Sequence, residues 1–227
     1  MSCSCNGPGP NGQDHRARAI TLSGLSVAST GFEFNVPPLP ESGFAGWGLV
    51  IKSDIDEAQL TLQRRFHTSQ GGGGLSSPNI NLYIDGKFTR LGIAAPAFNA
   101  TFKPQSSAVT NFIAYPLTAE QLKVWPRYGY VREEVSVDQS TSETAQAPSS
   151  CISWEAKFDP ADIWTIEVQS QDAGNWTTDT KLLSVSTGTA PWLWSGGEVP
   201  AQTPLRLSLS HDMAGTIATQ LYWKVAI

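Results

Sequence analysis

Charged residues are scarce in this sequence, and this scarcity limits the partners that the chain can recognise. Only 15% of its 227 residues are Asp, Glu, Lys or Arg, and the net charge is −5. A nucleic-acid interface needs a basic face that displaces counterions from the phosphates. The closest basic groups are the pairs Arg16/Arg18 and Arg64/Arg65. Nucleic acid and anionic membrane surfaces are therefore not expected as partners.

Long hydrophobic runs are also missing. No apolar stretch approaches the roughly 20 residues that a helix needs to cross a bilayer, so we expect no transmembrane segment. The start of the chain, MSCSCNGPGPNGQDHRARA, lacks the apolar region of a signal peptide. We therefore expect a soluble protein that is cytoplasmic or exported by a route without a signal peptide.

Cysteine is rare, with Cys3, Cys5 and Cys151 as its three positions. An odd number argues against a scaffold built on disulfides. The C-x-C spacing of the first two differs from the C-x-x-C of zinc and redox sites. Both lie in the segment 1–18, which is rich in Gly and Pro and is predicted to be a disordered arm. They are expected to be free thiols or, as a sharper hypothesis, a link between subunits.

Recognisable catalytic motifs are absent as well. The three histidines, His15, His67 and His211, have no i, i+2 or i, i+4 spacing for metal ligation, and no G-x-S-x-G motif occurs. His211 is followed by Asp212, but adjacent residues of a strand point to opposite faces. An enzyme is therefore the less favoured hypothesis, and no cofactor is expected.

One pair of carboxylates is a weak candidate for a metal site. Asp159 and Asp162 flank Pro160-Ala161, and calcium is bound by six to eight oxygen atoms, several of them from such side chains. The simpler interpretation is turn chemistry, with Asp before Pro and a second Asp as a local cap.

The sequence does contain the alternation of apolar and polar residues that is typical of β-strands. The segment Phe32–Val36 alternates apolar with polar residues, which is typical of a half-buried strand, and similar segments recur between frequent turns. Thr118 begins one short predicted helix near 119–125, where Gln121 completes a capping box. The prediction is an all-β fold, an antiparallel β-sandwich or an open barrel with this single short helix.

Two connections between strands are predicted to be hairpins. Asp85-Gly86 lies between alternating segments, and this dipeptide favours the type I′ turn. The segment Ser53–Glu57 is interpreted as the polar loop of another hairpin, with a helix capped by Ser53 as the alternative. Strict alternation through Leu60-Thr61-Leu62 favours the strand.

Aromatic residues and charge are distributed unevenly along the chain. Seven of the eight Trp follow residue 113, whereas eight of the nine Phe precede it, and most acidic residues lie in the later part. Two domains or one continuous sandwich over 19–227 both fit. The two-domain division has a β-rich N-terminal part at 19–137, a Ser/Thr-rich loop or linker at 138–150, and a Trp-rich acidic part at 151–227.

The late tryptophans are the most suggestive feature. Indole N–H groups seek a partner, so Trp is rarely buried completely. Trp192 and Trp194 share a face if they lie on a strand, and Trp176 follows Asp172 and Asn175 in a predicted loop. An exposed indole beside Asp or Asn suits a sugar, which stacks its C–H groups and donates its hydroxyls. These five residues are the predicted ligand-binding site.

These features support three hypotheses. The leading one is a non-catalytic, lectin-like protein that binds carbohydrate through Trp-rich loops; an exposed indole also fits a protein partner. The alternative is a self-assembling structural protein, an appendage, shell or tail component, linked through the Cys3/Cys5 arm as a homo-oligomer. The third is a pore-forming protein, although its candidate hairpin, Glu133–Ser150, lacks the alternating apolar residues of a lipid-facing strand.

Overall fold

The structure is a computed structural model and describes residues 19–40, 43–66, 75–157, 163–178, 185–189, 193–195, 199 and 204–227. The chain divides into two compact units. Unit 1 ends at Tyr128 and also includes Ile227, and unit 2 is Gly129–Ala226. Strands dominate both units and are packed as sandwiches, so the predicted all-β antiparallel sandwich is confirmed.

The described part of unit 1 contains nine strands and one helix before Tyr128. In chain order, the described elements are β1 (Ile20–Val27), β2 (Phe32–Val36), β3 (Gly46–Ser53), β4 (Glu57–Phe66), β5 (Leu75–Ser76), β6 (Ile80–Asp85), β7 (Thr89–Ile93), β8 (Ala97–Pro104), β9 (Ala108–Leu117) and α1 (Ala119–Lys123).

The inward faces of two sheets form the core of unit 1. One sheet has the strand order β1-β9-β3-β7, and the other contains β6, β4, β8 and β2 in that order, with β5 paired to β4. Buried side chains alternate along these strands, as Leu49 and Ile51 do on β3 and Leu60 and Leu62 on β4. The apolar period of two therefore places one face of each sheet in the core.

The hairpins predicted at Ser53–Glu57 and at Asp85-Gly86 are not formed, although the strands on either side of each connection are present. β3 and β4, like β6 and β7, belong to different sheets, so each connection crosses between sheets. A type I′ turn requires a positive φ at both central residues, and neither Asp85 nor Gly86 has one. Gly86 instead allows a close approach of two chain segments, because a Cβ there would lie 2.5 Å from the Ile55 carbonyl oxygen. The Gly86 amide donates to the Asp56 carbonyl at 2.9 Å.

The predicted helix is confirmed together with its capping box. The Thr118 hydroxyl accepts from the Gln121 amide at 3.3 Å, and the Gln121 side chain accepts from the Thr118 amide at 2.9 Å. The helix ends at Lys123, and Val124 is its C-cap. Among the described residues, no helix is long and apolar enough to span a membrane.

Unit 2 contains the remaining strands. The described elements are β10 (Tyr128–Asp138), β11 (Glu143–Gln146), β12 (Cys151–Lys157), β13 (Ile163–Asp172), β14 (Asn175–Thr178), β15 (Val185–Thr189), β16 (Leu193–Ser195), β17 (Leu205–His211) and β18 (Thr216–Ala226).

Unit 2 also consists of two sheets around a core. One contains β16, β12, β18 and β10 in that order, and the other has the order β11-β17-β13-β14, with β15 also paired to β13. Large aromatic side chains fill its core, because Trp154, Trp164 and Trp223 are each at most 1% exposed. The Trp223 indole N–H donates to the Glu133 carboxylate at 2.9 Å, which satisfies this polar group inside the core.

The segment 138–150, considered above as a linker, contains a strand. β11 lies within it and pairs antiparallel with β17, from Glu143 opposite Leu209 to Gln146 opposite Arg206. The division of the chain into an arm, two β-rich parts and a linker remains a prediction.

Candidate functional site

Of the late tryptophans whose side chains the structure describes, Trp154, Trp164 and Trp223 lie in the core and cannot contact a ligand. Trp176 is partly exposed on β14. Trp194 lies in β16, but its side chain is outside the described part, as is the Asp172 side chain. Trp192, the candidate metal ligands Asp159 and Asp162, and the thiols Cys3 and Cys5 are outside the described residues. The roles predicted for these residues remain predictions.

Trp176 lies on a strand beside a tight turn, which is shorter than the loop over 171–175 that the sequence predicted before it. β13 and β14 form a hairpin in which Asp172 lies opposite Asn175. The two residues between them, Ala173 and Gly174, have φ values of 47° and 89°. Positive φ at both positions is the type I′ geometry, whose twist matches that of the paired strands. The β-hairpin at a two-residue turn is therefore here and not at Asp85-Gly86.

The structure separates two of the predicted ligand-binding residues. Asn175 and Trp176 are adjacent on β14, so their side chains point to opposite faces of the sheet. Asn175 is exposed, but it is not positioned to act beside the Trp176 indole. Asn175 and Trp176 are thus not on the same face of the sheet, and the predicted binding role of these residues remains a prediction.

Trp176 instead shares the outer face of its sheet with polar side chains that the sequence analysis missed. Along β13, Trp164, Ile166 and Val168 face the core, so the intervening residues face outward. Gln171 lies opposite Trp176, and Gln169 lies between its register partners Thr178 and Arg206. We call this surface the polar outer face; its members are Glu167, Gln169, Gln171, Trp176, Thr178 and Arg206.

Contacts between these side chains orient the indole. The Arg206 guanidinium carbon lies 4.6 Å from the centroid of the Trp176 ring, within cation–π range. Its Nε donates to Gln169 Oε1 at 2.6 Å, and the Thr178 hydroxyl donates to the Glu167 carboxylate. Gln171 Nε2 donates to the Gly174 carbonyl in the turn at 3.2 Å. The register between strands would have identified this face. It cannot be derived from the sequence of a single strand.

His211 and Asp212, the residues considered for catalysis, do not form a site. His211 is 2% exposed on β17, and its Nε2 lies 2.8 Å from the Val137 carbonyl oxygen. Its ring is 4.9 Å from that of Trp164, whereas Asp212 is exposed. His211 is therefore a core residue that donates to the backbone. Among the described residues, no group of three His, Cys, Asp or Glu is arranged to hold a metal ion.

Cys151 is buried at the start of β12. Its thiol donates to the Ser153 carbonyl at 3.2 Å. Burial raises the pKa of this thiol from 9.0 to about 11. A thiol with so little thiolate at neutral pH is a poor nucleophile.

One side of unit 1 has an incompletely covered core. β1 is the last strand of one sheet, and β2 is the last strand of the other. On β1, Ile20, Leu22 and Leu25 lie opposite the buried residues Ala114, Phe112 and Thr110 and so face inward with them. All three nevertheless remain partly exposed, as does Phe32 on β2, whose ring stacks on that of Phe112 at 5.7 Å. We call this region the open side, defined by Ile20, Leu22, Leu25 and Phe32.

A second aromatic–cation stack lies on the other face of the β1-β9-β3-β7 sheet. Gly48 and Gly92 are register partners on β3 and β7. The Trp125 side chain lies against both, because a Cβ at either position would come within 2.8 Å of it. The Arg90 guanidinium carbon lies 4.4 Å from the Trp125 ring centroid. The glycine pair therefore forms a platform for this indole.

No family model and no curated protein matches the chain. Among solved structures, the PBSX exported protein XepA is 10% identical with a TM-score of 0.33, over 91% of this chain and 86% of that chain. The major capsid protein P2 from bacteriophage PM2 is 9% identical with a TM-score of 0.41, over 92% and 98%. A chain of Sulfolobus Turreted Icosahedral Virus is 11% identical with a TM-score of 0.26, over 91% and 93%. Similarity at these scores carries no argument about function.

Proposed function

We propose that the protein is a self-assembling structural protein whose copies join through the open side of unit 1. The observation that carries this proposal is the partial exposure of Ile20, Leu22 and Leu25. Their register with β9 shows that these side chains point toward the core. Burial of apolar surface is favourable in proportion to its area. A second molecule that covers these side chains would complete a core that one copy leaves open.

The backbone of β1 supports the same conclusion. Among the described strands, β1 pairs only with β9, so its other edge has no strand partner within the described part of the chain. Proteins commonly protect such edges with charged residues, Pro or bulges. β1 has a bulge at Gly24, where the amide donates to Asn111 Oδ1 at 2.8 Å. Apart from this bulge, its eight positions contain no charged residue and no Pro that would oppose pairing with another strand.

A second copy suits the open side better than the N-terminal segment of the same chain. Residues 2–18 contain no Val, Leu, Ile, Met, Phe, Tyr or Trp, so they cannot supply the apolar surface that the open side needs. Pro8 and Pro10 also lack the N–H that a pairing strand donates. The β1 strands of two copies can pair antiparallel about a twofold axis, which buries the same patch on both. Disulfides through Cys3 or Cys5 would then reinforce the assembly.

Light scattering after size-exclusion chromatography, with electron microscopy of the eluted particles, tests this proposal. The wild-type chain should elute with a mass above that of one copy. Thr21→Lys adds a charge to an exposed position of β1 without touching the core, and it should lower the mass to that of a monomer. Leu22→Lys should act in the same way if it remains folded.

Leu75→Lys is the matched control, because Leu75 is an exposed leucine on β5, and β5 is paired to β4 rather than to β1 or β2. It should leave the assembly unchanged. A wild-type monomer at all concentrations would refute the proposal, and so would a folded Thr21→Lys variant that assembles like wild type. Non-reducing gels of Cys3→Ser and Cys5→Ser test the covalent link separately.

A further inference from the structure

We infer that the polar outer face of unit 2 binds a neutral carbohydrate, with the Trp176 indole as its stacking platform. This inference goes beyond self-assembly and concerns different residues. It relocates the sugar site from the predicted Trp-rich loops to the surface of a sheet.

The indole of Trp176 is prepared for a ligand. The Arg206 guanidinium carbon lies over the ring at 4.6 Å from its centroid, and the Trp176 side chain still has a partly exposed aromatic face for a ligand to contact. A sugar presents a flat patch of C–H groups that packs on such a face. The Arg206 contact and its hydrogen bond to Gln169 hold the ring in place before binding. Less side-chain freedom is then lost when a ligand binds.

The neighbours of Trp176 supply the polar half of a sugar site. Gln171, its register partner, is exposed, and Gln169 and Glu167 are partly exposed along the same face of β13. Amide, carboxylate and hydroxyl groups can each accept from a sugar hydroxyl, and the amides and hydroxyl can also donate. A single aromatic surface surrounded by such groups resembles the mixed lining of small-ligand sites.

The charges of this face favour a neutral ligand. Arg206 and Glu167 are its positive and negative members, so their charges cancel, and the whole chain has a net charge of −5. An acidic glycan would therefore find no excess positive charge. A protein partner would need a larger apolar contact, because the core of a protein interface usually contains several aromatic or apolar anchors.

The experiment uses the full-length Thr21→Lys variant, so that assembly does not multiply weak contacts. A panel of neutral oligosaccharides built from glucose, mannose, xylose and N-acetylglucosamine is compared with sialylated and sulfated glycans. Binding is measured by calorimetry and by the change in tryptophan fluorescence. We expect at least one neutral class to bind with a change in fluorescence, and acidic glycans to bind more weakly.

Three variants locate the site. Trp176→Ala should weaken binding at least tenfold, whereas Trp176→Phe should recover part of the loss because it keeps an aromatic face. Asn175→Ala is the matched control on the same strand, pointing to the other face of the sheet, and should bind within twofold of its parent. Circular dichroism confirms that each variant is folded.

Several outcomes would overturn the inference. They are the absence of binding to every neutral glycan at millimolar concentration, a preference for acidic glycans, and a folded Trp176→Ala variant that binds like its parent. If Asn175→Ala weakened binding as much as Trp176→Ala, the binding site would lie at the β13–β14 turn and not on the polar outer face. Because Trp176 lies outside the open side, the oligomeric mass of Trp176→Ala in the otherwise wild-type chain reports separately on assembly.

Discussion

At the scale of single residues, position on a strand decides what the same side chain does. Trp164 is followed on β13 by Ile166 and Val168 at a spacing of two, with the polar residues Thr165 and Glu167 between them, so alternation places its ring in the core. Trp176 lies on β14, whose four residues are Asn-Trp-Thr-Thr and have no apolar alternation. The sequence therefore contains a signal for burial of Trp164, whereas the position of Trp176 depends on its pairing with β13.

Cys151 is predicted to be unreactive in the native protein. Burial raises the pKa of its thiol from 9.0 to about 11, which lowers the thiolate fraction at pH 8 about 100-fold. In a Cys3→Ser/Cys5→Ser variant, Ellman's reagent should therefore modify Cys151 at least 100-fold more slowly in buffer than in denaturant. Equal rates in the two conditions would show that the thiol is not buried.

The raised pKa of the Cys151 thiol also predicts that the free energy of unfolding depends on pH. The folded protein has the higher pKa, so its contribution to stability is fully present below pH 9 and is lost as the pH rises toward 11. Denaturant unfolding at a series of pH values measures this loss. A Cys151→Ala variant should show a shallower decline over this range, and an identical decline would contradict the assignment.

The glycine platform under Trp125 is also a residue-scale feature. A Cβ at Gly48 would lie 2.7 Å from the Trp125 ring, so Gly48→Ala should destabilise the protein by about 1–3 kcal/mol. Denaturant unfolding measures this change, and the Trp125 emission should change with it. In a Trp125→Ala background, Gly48→Ala should lower the free energy of unfolding clearly less, because the Trp125 ring that the new Cβ would meet is absent. Equal costs in both backgrounds would contradict the platform.

At the scale of elements, the sequence predicts which segments are strands better than it predicts their partners. Alternation identified β2 and the strands around Ser53–Glu57, and the capping box identified α1, because these signals lie within a few residues of one another. The partners of β3, β4, β6 and β7 were missed. Crossing between sheets depends on packing such as that of Gly86 against Ile55, which joins segments far apart in the chain.

The hairpin of β13 and β14 gives an element-scale prediction. Ala173 has a φ of 47°, a conformation that costs most L-residues roughly 1–2 kcal/mol but that Asn tolerates well. Ala173→Asn creates the Asn-Gly turn that type I′ hairpins prefer and should stabilise the protein by about 0.5 kcal/mol. Ala173→Val should destabilise it, and thermal unfolding compares the two. Stabilisation by Val would contradict the turn.

At the scale of the whole molecule, the aromatic residues follow the two units. Phenylalanines cluster in the core of unit 1, where Phe112 lies 4.7 Å from Phe34 and 5.4 Å from Phe102 between ring centroids. Tryptophans fill the core of unit 2. The uneven distribution in the sequence thus follows the division of the chain into two compact units. The open side was not predicted, because Ile20, Leu22 and Leu25 read as ordinary strand residues until their register and exposure are known.

Hydrogen exchange of β1 tests the central claim most directly. If copies pair through this edge, the amides of Ile20–Val27 should exchange more slowly as the protein concentration rises through the range in which the mass increases. Peptides covering α1 provide the internal reference and should exchange at the same rate throughout. Exchange in β1 that stays constant while the protein assembles would place the interface elsewhere and contradict the account.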